Sequence, residues 1–404
     1  MQTRIRRRYA AERRFRLMGL AAVVLSAAFL AYLLLTMVMQ GAAGFTDTRV
    51  AVPIDLAAAK LPIEPARVEG RGADLALAGA GLEGAVEAAA GLAYGRDGQG
   101  LLSDGAWLVV RDAVKADPSL LRRAETFTLP ASTAIDVAYK GDGAPEAEAT
   151  VARLSARGVV SRGIGVTFLS SADATDATRV GIWGAFKGSL LTMLVTLVLA
   201  FPIGVLSALY LEEYAPRNRW TDLIEVSINN LAAVPSIIFG LLGLAVFLGT
   251  FGMPRSAPIV GGLTLALMTM PVIVIAGRNA IKAVPPSIRD AALGIGASPV
   301  QVVFHHVLPL ALPGILTGTI IGMARALGET APLLMIGMRA FIAAPPSGLA
   351  DPATVLPVQI FLWSDEVSRG FVEKTSAAII VLLAFLLAMN GIAIYLRNRF
   401  ETRW

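Results

Sequence analysis

The 404-residue sequence contains no cysteine and only two histidines, His305 and His306. The absence of thiols excludes disulfide bridges and thiolate metal sites. Because adjacent residues point to different sides of a helix, the two histidines do not predict a metal site either. Charged residues make up only 16% of the chain, against roughly 25% in an average soluble domain. With 55% hydrophobic residues, this scarcity of charge predicts an integral membrane protein.

Two further absences narrow the function. The sequence has no G-x4-G-K-[ST] phosphate loop, so we do not expect the chain to bind ATP by that route. It also has no basic patch with interleaved aromatic residues, so we expect no nucleic-acid partner. We therefore predict no catalytic residues, no metal and no cofactor on this chain.

Long apolar runs are what the sequence does have. A helix needs roughly 20 apolar residues to cross a bilayer, and the sequence offers six such runs, with Pro235 expected to kink the third. We therefore predict an all-α integral membrane protein with six transmembrane helices. The predicted helices are 17–44, 188–211, 230–251, 257–278, 310–338 and 375–396.

Basic residues predict how these helices are oriented. Seven arginines lie in residues 1–16, and the C-terminal tail from Arg397 is also basic. Since cytoplasmic loops carry an excess of Lys and Arg, both termini should be cytoplasmic. The first apolar run is about twice as long as the core of a signal peptide, so we expect a retained anchor rather than a cleaved leader.

Residues 45–183 form a long external segment between helices 1 and 2. It is rich in Gly and Ala, and it is long enough to fold around its own core. We predict a small periplasmic α/β or α+β domain. Short strands are expected at Ala106–Val110 and Gly163–Leu169, and a helix at Ala149–Arg157. No catalytic or metal-binding pattern stands out in this segment.

The segment 282–309, between helices 4 and 5, has a specific pattern. After two prolines, Ser287 is a candidate N-cap for a helix over Ser287–Leu293, with Asp290 three residues later as in a capping box. Gly294 and Gly296 should end this helix, and Ser298-Pro299 should begin a second one. We predict a rigid cytoplasmic knob that docks into a separate protein.

This pattern resembles the EAA motif of ABC importer permeases, E-A-A-x3-G-x9-I-x-L-P. In this sequence Asp290 replaces the Glu and His306 replaces the Ile, while the spacing is intact. The resemblance implies a type I ABC importer permease core over 184–404. It also implies that this segment couples the chain to an ATPase through Arg289, Asp290, Ala291, Ala292, Gly296 and Pro309.

Three more stretches are similar to the A-type permease subunits of phosphate importers: Glu212–Pro216, Leu231–Gly243 and Arg325–Leu334. The external segment resembles an N-terminal extension found in a subset of them. The resemblance implies a multi-pass protein of the bacterial inner membrane, surrounded by lipid, with phosphate as substrate. The implied partners are a paralogous C-type permease, two copies of an ATP-binding subunit that uses ATP and Mg, and a periplasmic phosphate-binding protein.

Arg325 and Glu329 are charges inside an apolar run, where charge is costly, so they are functional candidates. The steps from Gly318 to Gly322, Arg325 and Glu329 predict one helix face, on which the two glycines let another helix approach closely. The Arg325 guanidinium suits phosphate. Glu329 has three open interpretations: it neutralises Arg325, it is protonated and donates a hydrogen bond, or it contacts the partner permease.

Local pairing of Arg325 and Glu329 without a substrate role is a fourth interpretation. Thr330 and Ser236 are further candidates for the substrate pathway.

Three other functions compete with phosphate import. The chain could be an ABC permease for another solute, such as sulfate, molybdate or an amino acid. It could be a membrane sensor with a periplasmic domain, although its cytoplasmic segments are too short for an output module. An ion-coupled secondary transporter would leave the EAA-like segment unexplained.

Overall fold

The computed structural model describes residues 2–63, 68 and 72–400, and the side chains of residues 9–399 within those ranges. The predicted basic N-terminal side chains up to Arg8, and the tail residues 401–404, lie outside this description. In the described chain, the strands are β1 (Thr46–Asp55), β2 (Ala124–Pro130) and β3 (Val160–Ile164). The helices are α1 (Gln2–Gly44), α2 (Ala73–Gly79), α3 (Leu82–Tyr94), α4 (Ala106–Ala116), α5 (Thr133–Tyr139), α6 (Pro145–Ala156), α7 (Val166–Ser170), α8 (Trp183–Leu209), α9 (Arg219–Ala232), α10 (Ser236–Gly243), α11 (Pro258–Lys282), α12 (Pro286–Gly294), α13 (Pro299–Gln301), α14 (Leu308–Gly328), α15 (Ala331–Met335), α16 (Leu356–Ser364) and α17 (Gly370–Phe400).

Five helices of the described chain are long and apolar enough to cross a membrane: those that contain α1, α8, α11, α14 and α17. Two bent helix pairs also pass the same test, which raises the number to seven at most. One pair is α2 with α3, in the predicted external segment. The other is α9 with α10 and the π-helical extension of α10, Leu244–Thr250, and the two helices of this pair are bent by 99°. Pro235 lies at this bend, as its lack of an N–H donor leads one to expect.

The residues after β3, 166–400, are called the helical part here because they contain helices and no strand in the described chain. Its central element is α11, which packs against both α8 and α14. A Cβ on Gly262 would lie 2.5 Å from Val195 Cγ1, so α8 and α11 touch almost backbone to backbone. The Thr196 hydroxyl donates to the Gly262 carbonyl oxygen across this contact, at 3.2 Å. Small residues allow such close approach, and interhelical hydrogen bonds stabilise it in lipid.

Residues 46–164 form a separate α+β unit with a three-stranded antiparallel sheet in the order β2-β1-β3. Val50 pairs with Leu129 across β1 and β2, and both side chains are buried in the core of this unit. Helices α3, α4 and α6 contribute Val86, Val110 and Leu154 to the same core. Of the two forms predicted for this insertion, α/β and α+β, the structure has the α+β form.

The predicted strand at Ala106–Val110 is wrong, because these residues begin α4. The buried residues of α4 are Ala106, Val110 and Val114, which repeat every four residues and therefore share one helix face. A short apolar run does not distinguish a strand from a helix by itself. The strand predicted at Gly163–Leu169 is also largely wrong, since β3 ends at Ile164 and α7 follows. The helix predicted at Ala149–Arg157 is confirmed as α6.

Buried ion pairs join the α+β unit to the beginning of α17. Lys140 Nζ lies 2.7 Å from Asp136 Oδ2 and 2.7 Å from Glu373 Oε2. Lys374 Nζ lies 3.0 Å from Asp47 Oδ1 and also donates to the Gly44 carbonyl oxygen. Because both lysines are almost completely buried, these charges hold the α+β unit against α17.

Candidate translocation and coupling sites

The apolar segment that carries Arg325 is a broken helix. The sequence predicted one helix over 310–338, and this is wrong: α14 ends at Gly328, Glu329 is extended at φ −77° and ψ 120°, and α15 begins at Ala331. Pro332 provides the physical reason. Its ring would clash with the carbonyl group four residues earlier, at Gly328, and it lacks the N–H that a continuous helix needs.

Arg325 and Glu329 face each other across the end of α14. Arg325 Nε lies 3.4 Å from Glu329 Oε1, with 51% of the arginine side chain and 19% of the glutamate side chain exposed. The prediction that both share one helix face is therefore wrong, because Glu329 lies outside the helix. The distance between Arg325 Nε and Glu329 Oε1 is long for an ion pair, and about half of the Arg325 side chain is exposed. The Arg325 guanidinium therefore keeps N–H groups for another partner.

Gly318 and Gly322 lie on the buried face of α14 and pack against α11. A Cβ on Gly318 would overlap Ala276 Cβ, and one on Gly322 would lie 3.1 Å from Thr269 Cγ2. Ala326 continues this face and is fully buried, whereas Arg325 is exposed. The two glycines do admit another helix of this chain, but Arg325 does not share their face as predicted.

Ser236 and Thr330 both lie at helix beginnings next to a break. Ser236 is the first residue of α10, and Thr330 is the N-cap of α15. The two helices touch: a Cβ on Gly240 would lie 2.6 Å from Pro332 Cα. The two broken helices therefore pack on each other. Backbone groups freed at such breaks are tolerated in a membrane only where protein or water satisfies them.

The EAA-like segment forms α12, a sharp turn and α13. The predicted capping role of Ser287 is wrong, because α12 already begins at Pro286 and its N-cap is Pro285, without a side-chain cap. Gly296 adopts φ +89°, a left-handed conformation that favours glycine. The predicted start at Ser298 is confirmed: Ser298 and Gln301 form a reciprocal capping box with Pro299 at the first position.

This segment presents an apolar surface. Ala292 is buried against the helical core, while Asp290 and Ala291 are exposed. Exposed Leu293 and Ile295 follow them, and Val300 and Phe304 are exposed as well. Gly296 and Pro309 are also exposed. Exposed apolar side chains on a rigid helix–turn–helix are typical of a protein-binding surface.

Arg289 anchors α12 to the rest of the chain. Its Nη2 donates to Glu213 Oε1 at 2.7 Å and to the Ile281 carbonyl oxygen at 3.0 Å, and its Nη1 donates to the Val284 carbonyl oxygen at 2.7 Å. One side chain thus joins α12, the end of α11 and the π-helical turn that follows α8, Tyr210–Tyr214. These contacts are within the chain, and the ATPase coupling predicted for Arg289 stays a prediction.

A second ion-pair group, which sequence reasoning missed, lies next to it. Arg278 donates from Nε to Glu212 and from Nη2 to Glu225 Oε2, the latter at 2.7 Å. Lys282 Nζ also lies 3.4 Å from Glu212 Oε1. Consecutive acidic residues just after one apolar run and basic residues at the end of another were the available signal, because such groups pair when the helices pack side by side.

Two other features bear on the site chemistry. Within the described ranges, no group of three or more His, Asp or Glu side chains is placed to hold a metal ion. In the loop before α16, hydrogen bonds from the Ser347 hydroxyl, Gly348 N–H and Ser347 N–H lower the pKa of Asp351. The same loop holds the beginning of α11, since Ile259 N–H donates to the Leu349 carbonyl oxygen at 3.0 Å.

Comparison with known families divides the chain into two parts. Residues 177–402 match the family described as binding-protein-dependent transport system inner membrane component. Residues 2–149 match a family described as a domain of unknown function. All candidate translocation and coupling residues lie within the first match.

Curated relatives carry the name phosphate transport system permease protein PstA. PstA 1 of Mycobacterium tuberculosis is 36% identical over 156 residues, which are 39% of this chain and 51% of the relative. PstA of Yersinia pestis is 30% identical over 214 residues, or 53% of this chain and 71% of the relative. PstA of Xylella fastidiosa is 26% identical and covers 59% and 82%. The chain thus spans about half the length of the mycobacterial relative.

Solved structures with a similar chain include the inward-facing MetNI methionine ABC transporter. That match has 18% identity and a TM-score of 0.43, and it covers 55% of this chain and 95% of the other. A bacterial alginate ABC transporter matches at 17% identity and a TM-score of 0.42, covering 58% and 81%.

Proposed function

Because the chain belongs to the family of binding-protein-dependent transport system inner membrane components, we propose that it is a permease subunit of an ATP-driven phosphate importer. Members of this family are the membrane component of a transporter and are not themselves its catalyst. Membership makes a membrane sensor or an ion-coupled carrier a poor description of the chain.

The similarity to phosphate permeases carries the choice of substrate. The Yersinia pestis relative is 30% identical over 71% of its own length. The chemistry of Arg325 agrees with an oxyanion, because a guanidinium donates two parallel hydrogen bonds and keeps its charge. Glu329 fits the role of a counter-ion that occupies Arg325 between transport events, since their 3.4 Å contact is long and half open. An ABC permease for another oxyanion or small solute is the remaining alternative.

The break between α14 and α15, together with the bend between α9 and α10, is the proposed substrate pathway. Arg325, Glu329, Thr330 and Ser236 lie at these two interruptions. In this account this chain forms half of the pathway and a paralogous C-type permease forms the other half. Half-exposed Arg325 would then face the second subunit or the space between them.

Coupling to ATP is proposed to run through α12, the turn at Gly296 and α13. One of two copies of a separate ATPase, which bind ATP and Mg, would hold this surface through the exposed side chains of Leu293 and Ile295. Their closure would push the segment, and Arg289 would transmit the movement to α11 and to Glu213. A periplasmic phosphate-binding protein would deliver the substrate from the other side.

The proposed topology has six spans: the five long helices and the bent pair of α9 with α10. Both termini would be cytoplasmic, and residues 45–183 would be periplasmic in a bacterial inner membrane. Cysteine labelling suits this question because the chain has no native cysteine. A membrane-impermeant thiol reagent should label Ala88→Cys from outside the cell and Ala291→Cys only after lysis. The opposite pattern would reverse the topology.

Radiolabelled phosphate uptake at low external concentration tests the substrate. Cells without a redundant phosphate importer are compared with and without the gene, with sulfate uptake as the control. We expect the loss of phosphate uptake alone. Unchanged phosphate uptake would overturn the substrate assignment and leave an ABC permease for another solute.

A further inference from the structure

A groove of about 240 Å³ opens between α8, α14 and α17. The beginning of α8 touches the middle of α17, where the ring centroids of Phe186 and Phe385 lie 5.1 Å apart. Beyond this contact the groove separates the two helices, and α14, which packs on both of them, forms its floor. None of the candidate translocation or coupling residues lines the groove.

The surface of the groove is almost wholly apolar. Met323 at its floor is 6% exposed, whereas Leu197 and Leu396 at its rims are 39% and 43% exposed. The Thr319 hydroxyl donates to the Ile315 carbonyl oxygen at 2.9 Å, so its hydrogen is already used within α14. The remaining lining residues are Phe201, Leu316, Ile320, Met389, Asn390 and Ala393.

The volume of the groove indicates what can fill it. Packed protein leaves few voids larger than a water molecule, so a gap of this size between helices needs an occupant. One turn of a helix is about 5.4 Å long and about 10 Å across with its side chains, which gives a volume of about 420 Å³. The groove is therefore too small for a helix of another subunit to enter. An acyl chain is only one methylene group wide and does fit.

The groove lies in the inner half of the membrane in the proposed topology. Met389, Ala393 and Leu396 belong to the last turns of the α17 span, which ends on the cytoplasmic side. The apolar lining therefore faces the acyl chains of the inner leaflet. This placement rests on the proposed topology, but it does not depend on phosphate as the transported substrate.

Arg397 lies at the inner mouth of the groove. It follows Asn390 by seven residues and Ala393 by four, so it shares their face of α17. Because helix side chains lean toward the N-terminus, the Arg397 side chain leans back toward the groove. Within the described chain its guanidinium donates only to Asn398 Oδ1, and Arg399 adds a second positive charge two residues later. A guanidinium in this position can donate two parallel hydrogen bonds to a phosphate group.

We propose that the groove holds one acyl chain of an anionic phospholipid of the inner leaflet, and that Arg397 binds the phosphate group of this lipid. Anionic lipids of the cytoplasmic leaflet attract basic residues next to a membrane span. Arg397 and Arg399 would repel the choline cation of phosphatidylcholine and thus favour phosphatidylglycerol. A lipid held in this way would brace α8 against α17 where the groove separates them.

Lipid binding by the purified full chain tests this site. The protein in detergent is titrated with radiolabelled phosphatidylglycerol, and the lipid that stays with the protein is counted after gel filtration. We expect phosphatidylglycerol to bind more tightly than phosphatidylcholine. Arg397→Gln should weaken phosphatidylglycerol binding about tenfold or more, as loss of charge-assisted hydrogen bonds implies. Ala393→Trp should abolish it, because the indole ring fills the groove.

Ala388→Trp and Arg399→Gln are the matched controls. Ala388 is exposed on α17 and does not line the groove, so its replacement should leave lipid binding unchanged. Arg399 lies two residues from Arg397 and so faces another side of the helix. Its loss should weaken binding only about two- to threefold, the effect of an exposed charge.

Equal lipid binding by the Arg397→Gln and Arg399→Gln proteins would overturn the proposal. Equal binding by the Ala393→Trp and Ala388→Trp proteins, or equal affinity of the parent for the two lipids, would overturn it as well. The arginine pair keeps the test decisive if Ala393→Trp does not fold.

Two further measurements separate this lipid from other occupants. Excess inorganic phosphate should not release bound phosphatidylglycerol, because buried methylene groups contribute most of its affinity. Release would show that Arg397 binds a free anion instead. Copurification with the paralogous permease should survive Ala393→Trp. Loss of copurification, together with no lipid bound by the parent, would make the groove a contact between subunits and refute the lipid site. Neither measurement involves phosphate uptake, so a wrong substrate assignment would leave both unaffected.

Discussion

At the scale of single residues, the main feature is a charged residue, Arg325, inside an apolar run. Arg325 is half exposed at the end of α14, and its only ion-pair partner in the described chain is Glu329, at 3.4 Å. An arginine that merely closed a structural ion pair would be expected to hold its carboxylate closer, at about 2.7–2.9 Å. The loose contact agrees better with a guanidinium that exchanges Glu329 for a substrate anion.

Replacing Arg325 should therefore impair transport without unfolding the protein. We expect Arg325→Gln to lower phosphate uptake about tenfold or more, and Arg325→Lys to restore only part of it, because lysine keeps the charge but not the two parallel donors. Arg255→Gln, at another exposed arginine, is the control. Phosphate uptake by Arg325→Gln equal to that of the control would show that Arg325 has no role in the pathway.

The sequence made Arg325 a candidate, and that role stays a prediction, whereas the surroundings it predicted for Arg325 are wrong. Arg325 stood out because charge is rare in an apolar run, and that signal is local. Pro332 was a sequence signal for the break after Gly328. The apolar run of 29 residues nevertheless favoured a single helix. The position of Arg325 off the glycine face could not be predicted, because four-residue and three-residue steps place it near that face, and only the packing of α11 decides which side is buried.

At the scale of secondary-structure elements, glycine decides how closely α14 approaches α11. A Cβ on Gly318 would overlap Ala276 Cβ, so Gly318→Ala must push the two helices apart. Overpacking of this kind costs about 1–3 kcal/mol. We expect a lower thermal unfolding midpoint for Gly318→Ala in detergent. Gly391→Ala in α17 is the control, since its Cβ would meet nothing within 4 Å; equal midpoints would refute the tight contact.

The element proposed to transmit the movement driven by ATP hydrolysis is α12, and Arg289 anchors α12 to the rest of the chain. Arg289→Ala removes the ion pair with Glu213 and the bonds to two carbonyl oxygens of the α11 end. We expect the assembled complex to keep ATP hydrolysis while phosphate uptake falls about tenfold or more, since a charge-assisted link is lost. The measurement is the ratio of phosphate transported to ATP hydrolysed.

Arg217→Ala is the matched control for this ratio, because Arg217 is an exposed arginine only four residues after Glu213 in the sequence. The charge-exchanged protein, Arg289→Glu with Glu213→Arg, should recover part of the coupling. An unchanged ratio for Arg289→Ala would show that α12 is held by its apolar contacts alone. The sequence placed α12 and its glycine turn correctly, but the Glu213 partner lies 76 residues away, and such long-range pairing follows only from the packed fold.

At the scale of the whole molecule, buried charges hold the α+β unit on the helical part. Lys140 lies between Asp136 and Glu373. Lys140→Met should be the most damaging change, because it leaves two nearly buried carboxylates without a cation. Removing one partner of a buried pair costs about 3–5 kcal/mol. Glu373→Gln should cost less, since Lys140 keeps Asp136.

Limited proteolysis between the α+β unit and the helical part, together with the thermal unfolding midpoint, would measure the contribution of Lys140. Lys115→Met is the control, because the Lys115–Asp74 pair is exposed and such pairs contribute about 0–1 kcal/mol. Equal protease resistance of the Lys140→Met and Lys115→Met proteins would contradict the account. The sequence predicted a separate external domain, but not its attachment to α17, because the lysine and the glutamate are 233 residues apart.

The measurement that tests the central claim most directly is transport by the reconstituted complex. Proteoliposomes that contain this chain, the paralogous permease and the ATPase are given an external phosphate-binding protein and radiolabelled phosphate, with ATP on the opposite side. The account predicts phosphate accumulation that requires ATP and the binding protein, with no accumulation of sulfate. Accumulation of sulfate instead of phosphate, or phosphate movement that does not require ATP, would contradict it.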